Sequence, residues 1–227
     1  MIEIAGLIPF STVDYPNALS SVIFCQGCPW KCSYCHNPHL QPFKKGSLNW
    51  KEILDFLRKR IGFLDSIVFS GGEPTFQKHL LRTMHDVKEM GFKVGLHTAG
   101  IYPQLLKPLL PWIDWVGMDI KAPFLNYGKV SGVSSSGEKV KQSAFLVLES
   151  GVDYEFRTTV HPKLITPQDI EYLTLDLEAM GAKNYALQKF RSSGCANRDL
   201  VDTSHEILWE ESFLSTLRTR FKNFSLR

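Results

Sequence analysis

The sequence predicts an α/β fold, a partial (β/α)6 barrel, from three observations. Short β-branched apolar runs alternate six times with segments of helical periodicity, which calls for a parallel sheet with helices outside it. The chain has 227 residues, whereas a closed eight-unit barrel usually takes about 250, so six units suit a barrel that stays open. Hydrophobic residues make up 44% of the chain, enough for a sizeable core. No linker or low-complexity stretch interrupts it, so residues 1–227 are expected to form one domain with its core at about 20–192.

Residues 1–19 read as short and turn-rich, with Thr12-Val13-Asp14-Tyr15-Pro16-Asn17 as a loop. The first strand, 20–24, runs into a cysteine-rich loop. Asn49 is placed to cap the first helix with Glu52 as its reciprocal partner, and Trp50, Ile53, Leu54, Leu57 and Ile61 recur at helical spacing. Residues 66–70 form the second strand, followed by Gly71-Gly72-Glu73-Pro74. Phe76, Leu80, Leu81, Met84, Val87 and Met90 mark one face of the next helix, which Gly91 ends at its C′ position. The third strand is 93–97, residues 102–110 are a short proline-marked helical segment, and the fourth strand is 115–120.

Residues 126–137, rich in Gly and Ser, read as a loop. Val140, Ala144, Phe145 and Leu148 mark a helix ending at Gly151, and 154–160 is the fifth strand. Thr166-Pro167 supplies an N-cap and an N1 proline for a helix carrying Ile170, Leu173, Leu177 and Met180. The sixth strand is 184–188. A last helix is expected at about 204–221, its basic end at 218–222 solvated.

Composition narrows the function classes. Lys plus Arg number 26 and Asp plus Glu 23, a net charge of +3, too small an offset to argue for nucleic acid. The start, Met1-Ile-Glu-Ile-Ala-Gly, lacks the basic region of a signal peptide. No apolar run approaches the roughly 18 residues of a membrane span. Clustered thiols without an export signal point to a reducing cytoplasm.

The chemistry centres on Cys25-Gln-Gly-Cys28-Pro-Trp-Lys-Cys32-Ser-Tyr-Cys35-His36-Asn37. Cys28, Cys32 and Cys35 are spaced C-x3-C-x2-C. Soft thiolates select iron–sulfur clusters or zinc. A cubane cluster normally takes four cysteines, so three would leave one iron open to a small molecule. Two other readings use the same residues. Cys32-Ser-Tyr-Cys35-His36 matches the haem-attachment pattern C-x-x-C-H, though it leaves Cys28 idle. A closed zinc site wants four ligands, and His36, His39 or Cys195 could supply the fourth. Cys25 reads as a small buried hydrophobe on the preceding strand, and Cys195 as a free thiol.

The C-x3-C-x2-C loop with an aromatic before its third cysteine resembles the radical S-adenosylmethionine (SAM) superfamily. The resemblance implies a partial (β/α)6 barrel of the radical SAM type. It also implies a [4Fe–4S] cluster on Cys28, Cys32 and Cys35, with SAM chelating the fourth iron and cleaved by an electron from the cluster. Over about residues 5–192 the chain is most similar to glycyl radical enzyme activases, in particular the anaerobic ribonucleoside-triphosphate reductase activating proteins. Carrying this likeness are Ser11-Thr-Val-Asp14-Tyr-Pro16, Cys35-His36-Asn37-Pro38, Leu96-His97-Thr98-Ala99-Gly100, Met118-Asp119-Ile120-Lys121 and Phe156-Arg157-Thr158-Thr159-Val160. His97, Phe190 and Cys25 depart from the pattern of pyruvate formate-lyase activase.

Polar groups collect at the predicted strand ends, where parallel α/β folds keep their function. They are Ser70 to Glu73, His97 and Thr98, Asp119 and Lys121, Arg157 and Thr159, and Gln188 and Lys189. Such charges also occur as structural ion pairs, and His36, His39 and His97 as loop-bonding histidines. The resemblance implies SAM contacts at Tyr34, Asn37, Ser70, Gly71, Gly72, Glu73, Thr98, Asp119, Lys121 and Arg157, with Lys121 and Arg157 toward its carboxylate. It implies a glycyl radical enzyme as protein substrate, met by Asp14, and flavodoxin or ferredoxin as electron donor. The alternatives are a small-molecule enzyme like 7-carboxy-7-deazaguanine synthase, and a non-enzymatic metal-binding or electron-transfer module.

Overall fold

The computed structural model describes residues 1–203 and 209–227. Eight strands form one sheet in sequential order. They are β1 (Ile4–Ser11), β2 (Ser20–Cys25), β3 (Ser66–Gly71), β4 (Lys93–Thr98), β5 (Trp115–Asp119), β6 (Asp153–Val160), β7 (Asn184–Lys189) and β8 (Asn223–Leu226). β1 pairs antiparallel with β2, and every later neighbour pair is parallel. β1 and β8 do not pair, so the barrel stays open.

The six predicted strands are β2 to β7. The helices outside them are α1 (Trp50–Arg58), α2 (Leu80–Glu89), α3 (Pro103–Leu106), α4 (Gly128–Ser131), α5 (Ser136–Ser150), α6 (Pro167–Ala179), α7 (Arg198–Val201) and α8 (Glu211–Arg220). Their starts follow local chemistry. Asn49 and Glu52 form a reciprocal capping box on α1. Thr166 and Asp169 do the same on α6, behind Pro167. Trp50, Ile53 and Leu57 bury one stripe of α1, as Leu80, Met84 and Val87 do on α2. Each such side chain contributes about 1.5–3 kcal/mol over leaving it exposed.

Inward-facing positions climb in layers because side chains alternate along a strand. Val22, Val68, Gly95 and Trp115 lie in register across β2 to β5. Tyr15 from the β1–β2 connection fills this layer, its ring 5.6 Å from Trp115. Gly95 makes room, since a Cβ there would meet the Tyr15 ring at 3.0 Å. The next layer up holds Phe24, Ser70, His97 and Gly117, and above it stand Asp119 and Arg157 at the mouth.

Four expectations need correction. Residues 1–19 are not merely turn-rich, because 4–11 form β1. Two register irregularities and Pro9 hide its alternation, and proline is tolerated on an edge strand. Residues 126–137 are not a plain loop: α4 and the start of α5 lie there, and a left-handed Gly132 turns between them. The last helix is Glu211–Arg220, and 204–208 of the predicted span lie outside the described residues. Arg220 is not solvated, as its side chain is 9% exposed and pairs with Glu171 and Glu178. No helix among the described residues is long and apolar enough to cross a membrane.

Candidate active site

The cysteine loop leaves β2 through a backbone clasp. Gly27 and Cys28 donate to the carbonyls of Leu40 and Gln41 at 2.8 and 3.0 Å, closing the loop at its base. Gly72 donates to Cys25 O and Glu73 to Gly27 O, both at 2.9 Å. A Cβ on Gly71 would lie 2.4 Å from Cys25 N, and one on Gly72 would lie 2.2 Å from Gly27 O. Gly71 also has a φ of 110°, which favours glycine. The Gly-Gly turn therefore locks the end of β3 against the backbone that delivers Cys28.

Cys28, Cys32 and Cys35 line one cavity of about 200 Å³ at the barrel mouth. Cys25 is fully buried below it on β2, and Cys195 stands apart from it. All five thiols are free. Burial pushes the Cys28 thiol up to about 12 and raises Cys32 against the pull of the Lys121 ammonium. Metal binding at these thiols therefore releases protons. Among the described residues no three His, Cys, Asp or Glu side chains converge on a single ion. Three soft donors lining one cavity fit an iron–sulfur cluster, which offers each thiolate its own iron.

In the same cavity as the cysteines, Asp119 receives two cations. Lys121 Nζ is 3.1 Å from its Oδ2 and Arg157 Nε 3.2 Å from its Oδ1. Burial alone would raise the Asp119 carboxyl, but Lys121 and Arg157 override it and hold it at about 2. Burial opposes the Lys121 charge too, yet Asp119 keeps it well above the usual lysine range. Arg157 also donates to Gly117 O at 3.1 Å, over a position where any Cβ would meet the guanidinium at 2.9 Å. Two cations share one carboxylate, leaving a surplus positive charge on the cavity wall. Such a surplus suits a ligand carboxylate.

Tyr34, Asn37, Ser70, Gly71, Gly72 and Thr98 line the same cavity. Lys121 Nζ sits 5.4 Å from the Tyr34 ring centre. Glu73 does not line it. Its buried carboxylate accepts from Thr75 N and Oγ1, from Thr98 Oγ1 at 2.7 Å and from Ala99 N at 2.9 Å. It braces the end of β3 to the end of β4. His97 shares the cavity, bonds Asp14 O at 3.0 Å and approaches Ser70 Oγ and Arg157 at 3.5 Å. Asp14 itself accepts from Ser11 Oγ and lies outside the cavity lining. His36 bonds Arg191 O at 2.8 Å and stacks on Phe190, so it ties the cysteine loop to the segment after β7.

Sequence reasoning missed Trp30 and Tyr127. Tyr127 Oη accepts from Lys121 N at 2.8 Å and donates to Asp119 O at 3.3 Å, which fixes the backbone carrying both charges. Trp30 of the cysteine loop packs on it at 5.8 Å. The available signal was a tyrosine stranded in a Gly- and Ser-rich stretch.

The model of the radical SAM superfamily matches residues 22–177. A Methanocaldococcus jannaschii protein, provisionally named a glycyl-radical enzyme activating enzyme, is 35% identical over 82% of this chain and 79% of its own. The pyruvate formate-lyase-activating enzyme of Streptococcus mutans is 30% identical over 52% of each chain, so the match spans about half of that relative. Among solved structures, Streptococcus suis SuiB bound to its precursor peptide SuiA superposes with a TM-score of 0.69 at 15% identity, over 91% of this chain and 48% of SuiB. That likeness shows the fold. By the family match across the cysteine loop and strands β2 to β6, the chain belongs to the radical SAM superfamily, whose cofactors are a [4Fe–4S] cluster and SAM.

Proposed function

We propose that this chain generates a glycyl radical on a partner enzyme, anaerobic ribonucleotide reductase. The observation that carries the reading is the shared cavity, which is lined by three thiols and by two cations that share one carboxylate. The similarity to activases over most of the chain supports the protein substrate, as do the activase-like loop motifs Ser11 to Pro16 and Cys35 to Pro38. The clustered thiols would suit a reducing compartment, and this reading takes the protein as cytoplasmic.

In this reading Cys28, Cys32 and Cys35 hold the cluster as thiolates. When bound, cluster and SAM supply an electron and a 5′-deoxyadenosyl radical that takes hydrogen from glycine. Lys121 and Arg157 hold the SAM carboxylate, and Asp119 keeps both cations aimed at the cavity. Tyr34, Asn37, Ser70, Gly71, Gly72 and Thr98 shape the rest of the SAM site, while Glu73 positions Thr98 from below. Trp30 and Tyr127 shield the charged pair from water. The gap between β1 and β8 gives a glycine-bearing loop lateral access, with Asp14 beside its path. Flavodoxin or ferredoxin supplies the electron.

The test is anaerobic incubation of reconstituted protein with SAM, reductant and the reductase. A doublet glycyl radical signal with one 5′-deoxyadenosine per radical is expected. Rapid multiple turnover on a free nucleotide without any protein partner would overturn the reading.

A further inference from the structure

A groove of about 1000 Å³ lies beside the active site, its lining including Gln26 and Thr75, close in the chain to Cys28 and Gly72 of the mouth cavity. It shares no lining residue with the mouth cavity. Its floor is apolar, with Phe43, Phe76, Leu81 and Leu105. Phe43 and Phe76 lie 5.1 Å apart between ring centres and are 61% and 40% exposed. Adjacent exposed aromatics are typical anchors of protein interfaces.

The rim is basic. Lys44, Lys45 and Lys78 line it, and Arg82 and His85 extend it along α2. The three lysines and Arg82 are exposed, and none of the four takes part in the ion pairs seen among the described residues. Glu3, the carboxylate in the lining, already accepts from Gly46 N at 2.8 Å. The groove also reaches the cysteine loop. A Cβ on Gly27 would meet the Phe43 ring at 2.8 Å, and Gly27 precedes Cys28 by one residue, about 3.8 Å between Cα atoms.

We propose that this groove docks the electron donor, a small acidic protein carrying a low-potential one-electron centre. The inference rests on the proposed function, since a reductively driven cluster is what needs such a donor. Charge selects the partner, because unpaired lysines around an apolar floor suit a carboxylate-rimmed face. Position selects its role. A protein seated here leaves the mouth open to SAM and substrate, yet meets the loop one residue from Cys28. One electron leaves the donor and enters the cluster; no bond is made or broken.

Flavodoxin is the probe. Its oxidised form is titrated onto the reconstituted holoprotein, and its reduced form is mixed with it while cluster absorbance is followed. Lys44→Glu/Lys45→Glu/Lys78→Glu should weaken binding about 10-fold at low salt, and slow cluster reduction by flavodoxin to match. Phe43→Ser should weaken binding in the same direction. Reduction by dithionite should be unchanged in both, which shows that fold and cluster are intact. Wild-type binding should fall as salt is added. Lys183→Glu/Lys222→Glu, at the other end of the barrel, should bind as wild type does.

Wild-type flavodoxin binding and reduction rates in the triple variant would overturn the proposal. So would a loss confined to binding of the substrate enzyme, or of a single-stranded oligonucleotide. Failure of dithionite-reduced wild-type protein to cleave SAM would count against the proposed function instead, and the flavodoxin titration would still decide the groove.

Discussion

Arg157 at the barrel mouth and Arg220 between α6 and α8 are both nearly buried, at 12% and 9% side-chain exposure, yet their surroundings have opposite stoichiometry. At the mouth two cations share Asp119. Between the helices one cation is shared by Glu171 and Glu178, and Arg220 also donates to Thr174 Oγ1 at 2.6 Å. Glu178 is 50% exposed, so water screens the surplus negative charge there. The surplus positive charge at the mouth faces a small cavity lined by thiols. The helix cluster around Arg220 is complete as it stands, whereas the cluster at the mouth has a charge that an anion would balance. Which way the unmatched charge faces separates an ion pair that holds helices together from one suited to a ligand.

Removing each arginine should break this contrast in opposite ways. Arg157→Ala should lower SAM affinity roughly 10- to 150-fold, the usual cost of a charge-assisted hydrogen bond, as titration of the anaerobic holoprotein would show. Arg220→Ala should leave SAM affinity at the wild-type value. Its cost should be stability, about 1–3 kcal/mol after allowing for the exposure of both carboxylates. Calorimetry should then show a midpoint about 2–12 °C lower. Equal losses of SAM affinity in the two variants would erase the distinction.

A smaller effect sharpens it. Burial, with the Arg157 guanidinium adding to it, pushes the His97 imidazole down to about 3. The unfolded value is near 6.5, so the folded state excludes a proton that the unfolded chain binds. Stability that is full above about pH 6.5 is lost as pH falls toward 3. Urea unfolding should show a loss on the order of 1–2 kcal/mol between pH 7 and pH 5. Arg157→Ala should reduce that loss by letting His97 titrate nearer its usual value, and Arg220→Ala should leave it unchanged. An identical slope in both variants would remove Arg157 from the electrostatics of His97.

The contrast between the arginines was half legible in the sequence. Strands β2 to β7 announce themselves by apolar runs, with Asp119 the last residue of β5 and Arg157 beside it in the second half of β6. Arg220 sits in a basic run at a helix end, and its partners lie 42 and 49 residues earlier on α6, so nothing local marked it as buried. Glu73 shows the reverse. Its motif suggests a ligand contact, yet its bonds to Thr98 at the end of β4 and to Ala99 just beyond, 25 and 26 residues on, make it a brace. β8 has four residues and leaves too little pattern to read. The cysteine loop was legible because its chemistry lies in spacing alone, whereas Tyr127 acts through a fold that spacing does not encode.

The most direct test of the account is the electron paramagnetic resonance spectrum of the reduced cluster with and without saturating SAM, in wild type, Arg157→Ala and Arg220→Ala. Iron content should be about four per chain in all three. The spectrum should change on SAM addition in wild type and in Arg220→Ala, and require much more SAM in Arg157→Ala. A wild-type spectrum unmoved by SAM, or a full response at wild-type SAM concentrations in Arg157→Ala, would contradict the claim that the barrel mouth is the SAM site.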